Sequence, residues 1–321
     1  MLGRTASNLF WMSRYMERAE NVARLIEVGH RLSLTPDVGS GYREDWQSTL
    51  AAAGCLDASV IGRSPPTAEA VQHYLLFDRS NFSSVSACLE AARNNGRSVR
   101  TALTREVWEA LNSTWIEFSA FRTDELSPGK LPELLDWVRQ RSALFRGAVM
   151  GTLLRDEGYH FIQLGTFVER SDNTARILDV KYSVLLPTTE AGDGERAMHQ
   201  WETILRSVSA HRSYRYVYKN RYRAGNVADF LILRPEMPRS LRFCHDFIER
   251  SLANLAEMTG GGEASLALSR ETGTKLRNSA IPTIFRMGLH EFLTEFLHRT
   301  AGIADTMAID YHFNQVGSSG A

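Results

Sequence analysis

A chain of 321 residues is roughly two to three times the usual size of one domain, so it can form one large core or two packed halves. Lys and Arg together equal Asp and Glu at 37 each, which excludes a global electric field that would draw the protein onto nucleic acid or an anionic membrane. No stretch approaches the ~20 apolar residues of a membrane span, and polar residues interrupt the apolar run near the start, so we expect neither a membrane span nor a secretory leader.

Apolar residues recur at helical spacing along nearly the whole chain, whereas alternating strand patterns bounded by hairpin turns are hard to find. We therefore predict an all-α protein. The predicted helices span residues 6–33, 82–94, 98–120, 130–156, 159–185, 194–210, 238–258 and 281–312. Proline and glycine clusters predict breaks at residues 35–41, 64–66, 127–129, 187–194 and 260–262.

One polar motif occurs twice in the chain. Residues 17–24 read ERAENVAR, and residues 169–176 read ERSDNTAR. Other positions match at an offset that stays between 152 and 156, including Cys88 with Cys244. A nearly constant offset indicates an internal duplication with small loop insertions. The other matched pairs include Trp46 with Trp201, Leu50 with Leu205, Ser84 with Ser240, and Tyr159 with Tyr311.

The duplication predicts the organisation of the chain. We expect a first helical repeat over residues 1–156, a second over residues 157–314, and a flexible tail over residues 315–321. Helical units of this kind bury their apolar faces on each other, so the two halves are expected to pack about a pseudo-two-fold axis as a duplicated helical bundle.

Each copy of the motif places a carboxylate, an amide and a guanidinium on one stripe of a helix, because positions i, i+4 and i+7 share a face. Such a stripe can form a buried network between helices, bind a polar ligand or partner, or lie on a solvated face with intrahelical pairs. Four polar positions are identical in the two copies, which favours the first two interpretations. The candidate residues are Glu17, Arg18, Asn21, Arg24, Glu169, Arg170, Asn173 and Arg176.

Glu157 and His160 have the Glu-x-x-His spacing of carboxylate-bridged metal sites in helical bundles. Ile309 stands where the second copy would repeat Glu157, so the paired set of ligands is incomplete. We therefore predict no metal and no other cofactor. His160 is retained as a candidate site residue beside the motif, with a buried core histidine as the alternative.

Residues 212–223 combine five cations and four tyrosines without one acid. Interleaved Arg and Tyr can contact phosphates and stack on planar groups, which would make this segment an anion site. The alternative, which we favour, is a helix end whose tyrosines pack inward while its arginines pair with acids from elsewhere; a nucleic acid partner is then not expected. The candidate anion-binding residues are Arg212, Tyr214, Arg215, Tyr216, Arg221 and Arg223.

Catalytic signatures are not found in the sequence: it has no G-x-S-x-G elbow and no P-loop. Cys55, Cys88 and Cys244 form no CxxC pair, which argues against a disulfide framework and against a thiolate zinc site. We expect Cys88 and Cys244 to be small buried core residues and the protein to be cytoplasmic.

The motif segments resemble the bacterial Alpha-E family, which is named for a helical domain with a Glu-Arg motif. The resemblance is carried by residues 11–24 (WMSRYMERAENVAR), 81–112, 161–176 and 229–244 (DFLILRPEMPRSLRFC), and it extends from Leu2 to about Phe313. It implies a partnership with circularly permuted ATP-grasp proteins and with transglutaminase-like peptidases, and hence a role in peptide or amide-bond synthesis or modification. It carries over no catalytic residue.

Two functions remain open at the level of sequence. The first is a helical subunit or scaffold that docks an ATP-grasp amidoligase or presents its peptide substrate. The second is an enzyme that acts on a peptide, aminoacyl or amide group, with Glu17 or Glu169 as acid and base and the arginines as a clamp for a carboxylate or phosphate. A homo-oligomer is compatible with either function, and neither needs a membrane.

Overall fold

The computed structural model describes residues 1–33, 46–55, 67–121, 129–189, 195–219 and 221–313, and every regular element in these ranges is helical, as predicted. A short 3₁₀ helix (Arg100–Ala102) and a π-helical turn (Asp229–Leu233) accompany the α-helices. The α-helices are α1 (Gly3–Ser33), α2 (Trp46–Ala52), α3 (Ala68–Leu76), α4 (Val85–Ser98), α5 (Arg105–Ser119), α6 (Leu131–Thr152), α7 (Glu157–Thr189), α8 (Glu195–Ser207), α9 (His211–Tyr218), α10 (Ala224–Ala228), α11 (Leu241–Thr259), α12 (Glu263–Asn278), α13 (Ile281–Met287) and α14 (Leu289–Asp310).

Several helix boundaries differ from the sequence-based prediction; α6, for example, ends at Thr152 and not at residue 156. The helix predicted over residues 281–312 is divided into α13 and α14 at Gly288, whose φ of 101° is a conformation that favours glycine. The helix predicted over residues 98–120 begins later, at Arg105, where the Thr104 side chain caps its N-terminus. Pro187 lies within the bounds of α7, not beyond its end. The predicted breaks at residues 35–41 and 64–66 lie outside the described residues.

Helix α12 was not predicted, and its buried face explains why. That face carries Ser265, Ser269, Thr272 and Gly273, with Leu266 and Leu276 as its only large apolar side chains. Small polar residues can face a packed interior when their hydroxyls bond the backbone, as Thr272 does to the carbonyl of Leu268 at 2.9 Å. Apolar periodicity is therefore a weak signal in this helix.

Helices α1 and α7 form the centre of the fold. They run parallel and in register, because Phe10 and Ser13 lie against Gly165, and Glu17 then meets Arg170 one turn further along both helices. Helices α4 and α6 pack on α1, with α5 between them; α11 and α14 pack on α7, with α12 between them. The motif segments therefore lie at the contact between the two central helices.

One continuous apolar core surrounds the central pair. It includes Leu9 and Met12 of α1, Phe145 of α6 and Phe161 of α7, all with exposures of 2% or less. Burying one such side chain stabilises the fold by about 1.5–3 kcal/mol. A second cluster at the other end of α7 contains Leu178, Trp201, Tyr214 and Phe296. These clusters enclose most of the surface of α1 and α7 around the motif segments.

The three cysteines are free and buried, and Cys88 and Cys244 are fully inaccessible, which confirms the prediction that they are core residues. Burial raises the pKa of both thiols to about 12, so they remain protonated at neutral pH. In the described part of the chain, no helix is both long and apolar enough to cross a membrane.

Candidate functional site

Two reciprocal ion pairs join the motif copies. The Arg170 guanidinium donates from Nε to Oε1 of Glu17 at 2.7 Å and from Nη2 to Oε2 at 2.9 Å. The Arg18 guanidinium donates to Glu169 in the same way, at 2.6 Å and 2.9 Å. Each Glu-Arg dipeptide thus supplies the carboxylate of one ion pair and the guanidinium of the other. Bidentate pairs of this kind combine strength with a fixed geometry.

The motif is enclosed and is not a solvated helix face. Glu17, Glu20 and Asn21 are only 2%, 0% and 3% exposed, and Glu169 is 4% exposed. Charged side chains are almost never buried to this extent unless they are paired. The alternative of a plain surface stripe is therefore wrong.

Additional arginines from distant parts of the chain complete the first copy. Arg239, just before α11, donates to Oε1 of Glu20 at 2.9 Å and to Oδ1 of Asn21 at 3.0 Å, and it lies 3.2 Å from Oε1 of Glu17. Arg146 of α6 contacts both carboxylates. These partners had no local sequence signal, because 126 to 219 residues separate them from the motif.

The second copy has a different set of partners. Arg14 of α1 donates to Oε2 of Glu169 at 3.0 Å. Arg176 pairs with Asp172 one turn before it at 2.7 Å, as Arg24 pairs with Glu20 at 2.9 Å. The side chain of Arg176 is 42% exposed, so this end of the motif is the more open one.

The motif carboxylates remain ionised. Burial alone would raise the pKa of Glu169, but the Arg18 and Arg14 guanidinium groups outweigh burial and hold this pKa at about 2. Burial opposes ionisation of Glu17 and Glu20 as well, yet the guanidinium groups around them lower both pKa values. Burial disfavours the charged form of a base as well. It lowers the pKa of Arg239 to about 10, although the carboxylates of Glu17 and Glu20 act to raise it.

The free energy of unfolding should consequently fall as the pH drops from about 4.5 towards 2. A carboxyl group whose pKa is lower in the folded than in the unfolded state stabilises the fold above its unfolded pKa, and this stabilisation is lost as the pH falls through the folded value. For Glu169 these limits are its ordinary pKa of 4.5 and its folded value of about 2. Urea unfolding between pH 2.5 and 7 measures the loss. A free energy that stays constant below pH 4.5 would contradict the ion-pair network.

A polar cavity of about 200 Å³ opens beside the second copy of the motif. Glu169 and Arg176 both line it, and Ser83 forms part of its wall just before α4. The cavity is therefore bounded by the carboxylate, amide and guanidinium groups that the sequence had indicated. The complete lining is Arg18, Asn21, Val22, Leu25, Ala52, Ala53, Gly54, Ser83, Glu169, Asp172, Asn173 and Arg176.

Comparison with known proteins identifies the family. The family model named Alpha-E, described as a predicted alpha-helical domain with a conserved ER motif, matches residues 1–312. This chain belongs to the Alpha-E family. The resemblance seen in the sequence is thereby confirmed.

Similar full-length proteins include uncharacterized proteins from Mycobacterium bovis and Mycobacterium tuberculosis. Each is 23% identical to this Alpha-E chain over 325 residues, covering 94% of the chain and 35% of the relative. The chain thus spans about a third of the length of these relatives. No solved structure matches it.

His160 is not part of the Alpha-E motif cluster. It lies near the start of α7, nine residues before Glu169, and a helix rises about 13 Å over that distance. It is buried against the ring of Tyr159, its Nδ1 has no partner among the described residues, and burial lowers its pKa. The structure favours the buried core histidine. Within the described residues, no group of three metal-ligating side chains occurs.

The arginine- and tyrosine-rich segment lies apart from the motif, on α9 and the turn that follows. Tyr214 is buried, stacks on Tyr218 and Tyr222, and donates to the carbonyl of Arg221 at 2.6 Å. Tyr216, in contrast, is 89% exposed. The tyrosines other than Tyr216 thus pack inward as expected. Contrary to the prediction, three of the exposed arginines make no ion pair with any described residue: Arg212, Arg221 and Arg223.

Proposed function

We propose that this Alpha-E protein is a non-catalytic helical subunit that docks an ATP-grasp amidoligase and presents its peptide substrate. One observation carries the proposal. Glu17 and Glu169, the best candidates for acid-base catalysis, each contact at least two guanidinium groups, and the pKa of each carboxyl group is lowered. A carboxylate with a pKa of about 2 is neither a proton donor nor an effective base at neutral pH. The Glu-Arg motif then acts as a structural clamp.

The clamp proposal includes an origin by duplication, with repeats over residues 1–156 and 157–314. Several matched details support it. Ser84 caps α4 and Ser240 caps α11, each accepting from a backbone amide at 3.1 and 3.0 Å. Cys88 and Cys244 direct their thiols at backbone carbonyls in the same relative position, at 3.7 and 3.8 Å. On this view each half supplies one Glu-Arg dipeptide, and the reciprocal pairs fix how the halves meet.

Docking beside other catalytic units is supported by the family and by the length of the relatives. The Alpha-E resemblance implies partnership with circularly permuted ATP-grasp proteins and transglutaminase-like peptidases. The mycobacterial relatives carry the similar region as 35% of a longer chain, which fits a domain that works next to others. A cytoplasmic peptide-modifying assembly is the setting that we propose.

An enzyme in its own right is the second candidate, and the cavity favours it. Glu169 and Arg176 line a space large enough for a small polar group. Catalysis there would require an acid or base with a pKa near neutrality, whereas the pKa of Glu169 lies at about 2. For this reason we rank the binding role above the catalytic role.

Co-expression with the partner ATP-grasp protein tests the two candidates. The docking function predicts a complex that survives size-exclusion chromatography, and amide ligation that needs ATP and the partner. Ligation should persist with Glu169→Gln, provided that circular dichroism shows the variant to be folded at the assay temperature. Absence of a complex would refute docking. Ligation by the isolated chain, lost in folded Glu169→Gln, would establish the enzyme instead.

A further inference from the structure

The surroundings of the two motif copies differ at the position that Arg239 occupies beside the first copy. There the guanidinium of Arg239 lies among Glu17, Glu20 and Asn21, with all three accepting oxygens between 2.9 and 3.2 Å away. Arg239 is the residue immediately before Ser240, the N-cap of α11. It is 6% exposed, so its side chain is enclosed by protein.

At the matching position of the second copy, the chain supplies no guanidinium. Ser84 is the N-cap of α4, and the residue before it is Ser83. Ser83 lines the cavity of about 200 Å³, and Glu169, Asp172 and Asn173 line it as well. These three are the counterparts of the residues that hold Arg239. The cavity therefore lies where the guanidinium of a second Arg239 would be.

The other partners of the two copies correspond in part, because Arg146 contacts both Glu17 and Glu20, whereas Arg14 contacts Glu169 and not Asp172. Arg18 pairs with Glu169 as Arg170 pairs with Glu17, and Arg176 pairs with Asp172 as Arg24 pairs with Glu20. Arg14 reaches Oε2 of Glu169, as Arg146 reaches Oε2 of Glu17.

Hydrogen-bond acceptors are left over at this position. Oε1 of Glu17 receives both Arg170 and Arg239, at 2.7 and 3.2 Å. Oε1 of Glu169 receives Arg18 alone among the described residues, at 2.6 Å. Asn173 is 7% exposed and lines the cavity, and its side chain makes no hydrogen bond to any described residue. The Nδ2 of Asn173 is a donor and has no partner, as is also true of Nδ2 of Asn21. Only Oδ1 of Asn173 can therefore accept from a bound guanidinium, as Oδ1 of Asn21 accepts from Arg239.

We infer that the cavity binds a guanidinium group from outside the motif, either an arginine side chain of a peptide or free arginine. The planar fork of a guanidinium can donate to Glu169, Asp172 and Asn173 together, as that of Arg239 does in the first copy. Arg18 and Arg176 do not exclude a further cation, because each already points at its own carboxylate. This inference rests on the proposed equivalence of the two halves and names the substrate feature that the docking subunit recognises.

Calorimetric titration of the isolated chain tests the inference. Arginine should bind saturably, whereas citrulline, which has the same length but a neutral head group, should not. A Gly-Arg-Gly peptide that binds more tightly than arginine identifies a peptide as the source, and the reverse order identifies the free amino acid. Saturable binding of phosphate or acetate in place of arginine would overturn the inference and make the cavity an anion site.

Ser83→Arg should fill the cavity from within and weaken arginine binding at least ~10-fold, because a tethered guanidinium competes at an effective concentration in the millimolar range. Ser119→Arg, at an exposed position of α5, is the matched control and should bind arginine like the wild type. Asp172→Asn, whose side chain keeps the same shape, should also weaken binding. Unchanged affinity in both cavity variants would refute the site. Because these titrations need no ATP-grasp partner, their failure and a failure of docking are separate results.

Discussion

Replacement of Glu17 by glutamine should lower the free energy of unfolding by about 3–5 kcal/mol, the cost of removing one partner from a buried ion pair. Glu17 is 2% exposed and faces three guanidinium groups, those of Arg146, Arg170 and Arg239. The neutral amide would remove the negative charge that balances these guanidinium groups, and water has little access to solvate them in its place. Urea unfolding monitored by circular dichroism gives the change, and an unchanged m-value would show that the transition keeps its cooperativity.

Glu109→Gln is the matched control for this experiment. Glu109 also pairs with an arginine, Arg105, but the two side chains are 56% and 79% exposed. An exposed pair contributes at most about 1 kcal/mol, because water and salt screen it. An equal loss in free energy of unfolding for the two variants would show that burial does not strengthen the contribution of the Glu17 network. A loss below about 1 kcal/mol for Glu17→Gln would contradict its role as a clamp.

The fold class was predictable from sequence because long helices repeat their apolar residues every three to four positions. Helices α4 and α11 show this clearly, and the predicted bounds of α1 and α7 also came close to those observed. Helix α12 was missed because Ser265, Ser269 and Thr272 face its interior contacts. A break such as Gly288 depends on a backbone conformation that apolar periodicity does not encode.

The candidate site was predictable only in part. The duplicated motif located Glu17 and Glu169, since the same polar residues appear in both copies. The pairing between copies could not be read from either helix alone, because it depends on the parallel packing of α1 and α7. Arg239 and Arg146 reach the site through tertiary structure, and no local spacing marks them. The cavity could not be predicted either, because its lining residues come from segments that only the fold brings together.

Gly165→Ala should destabilise the protein by at least about 3 kcal/mol, which exceeds the usual cost of overpacking because the obstacle is backbone. A Cβ atom at Gly165 would overlap the carbonyl oxygen of Phe10 and the hydroxyl of Ser13, and it would lie 3.0 Å from the carbonyl carbon of Phe10. Relief of this overlap must move α1 away from α7. The Glu169 pair with Arg18 lies one turn further along, so the same movement would lengthen the buried ion pairs. Urea unfolding measures the loss.

Gly147→Ala separates this effect from the intrinsic preference of helices for alanine. Gly147 lies on the exposed side of α6, and a Cβ atom there would have no atom within 4 Å. Alanine at such a site should stabilise the protein by up to about 1 kcal/mol. Opposite signs for the two substitutions would show that close contact between α1 and α7 fixes the register in which the Glu-Arg dipeptides meet. A neutral or stabilising Gly165→Ala would mean that the helices can separate without cost, and the clamp would then lack the rigid spacing that it needs.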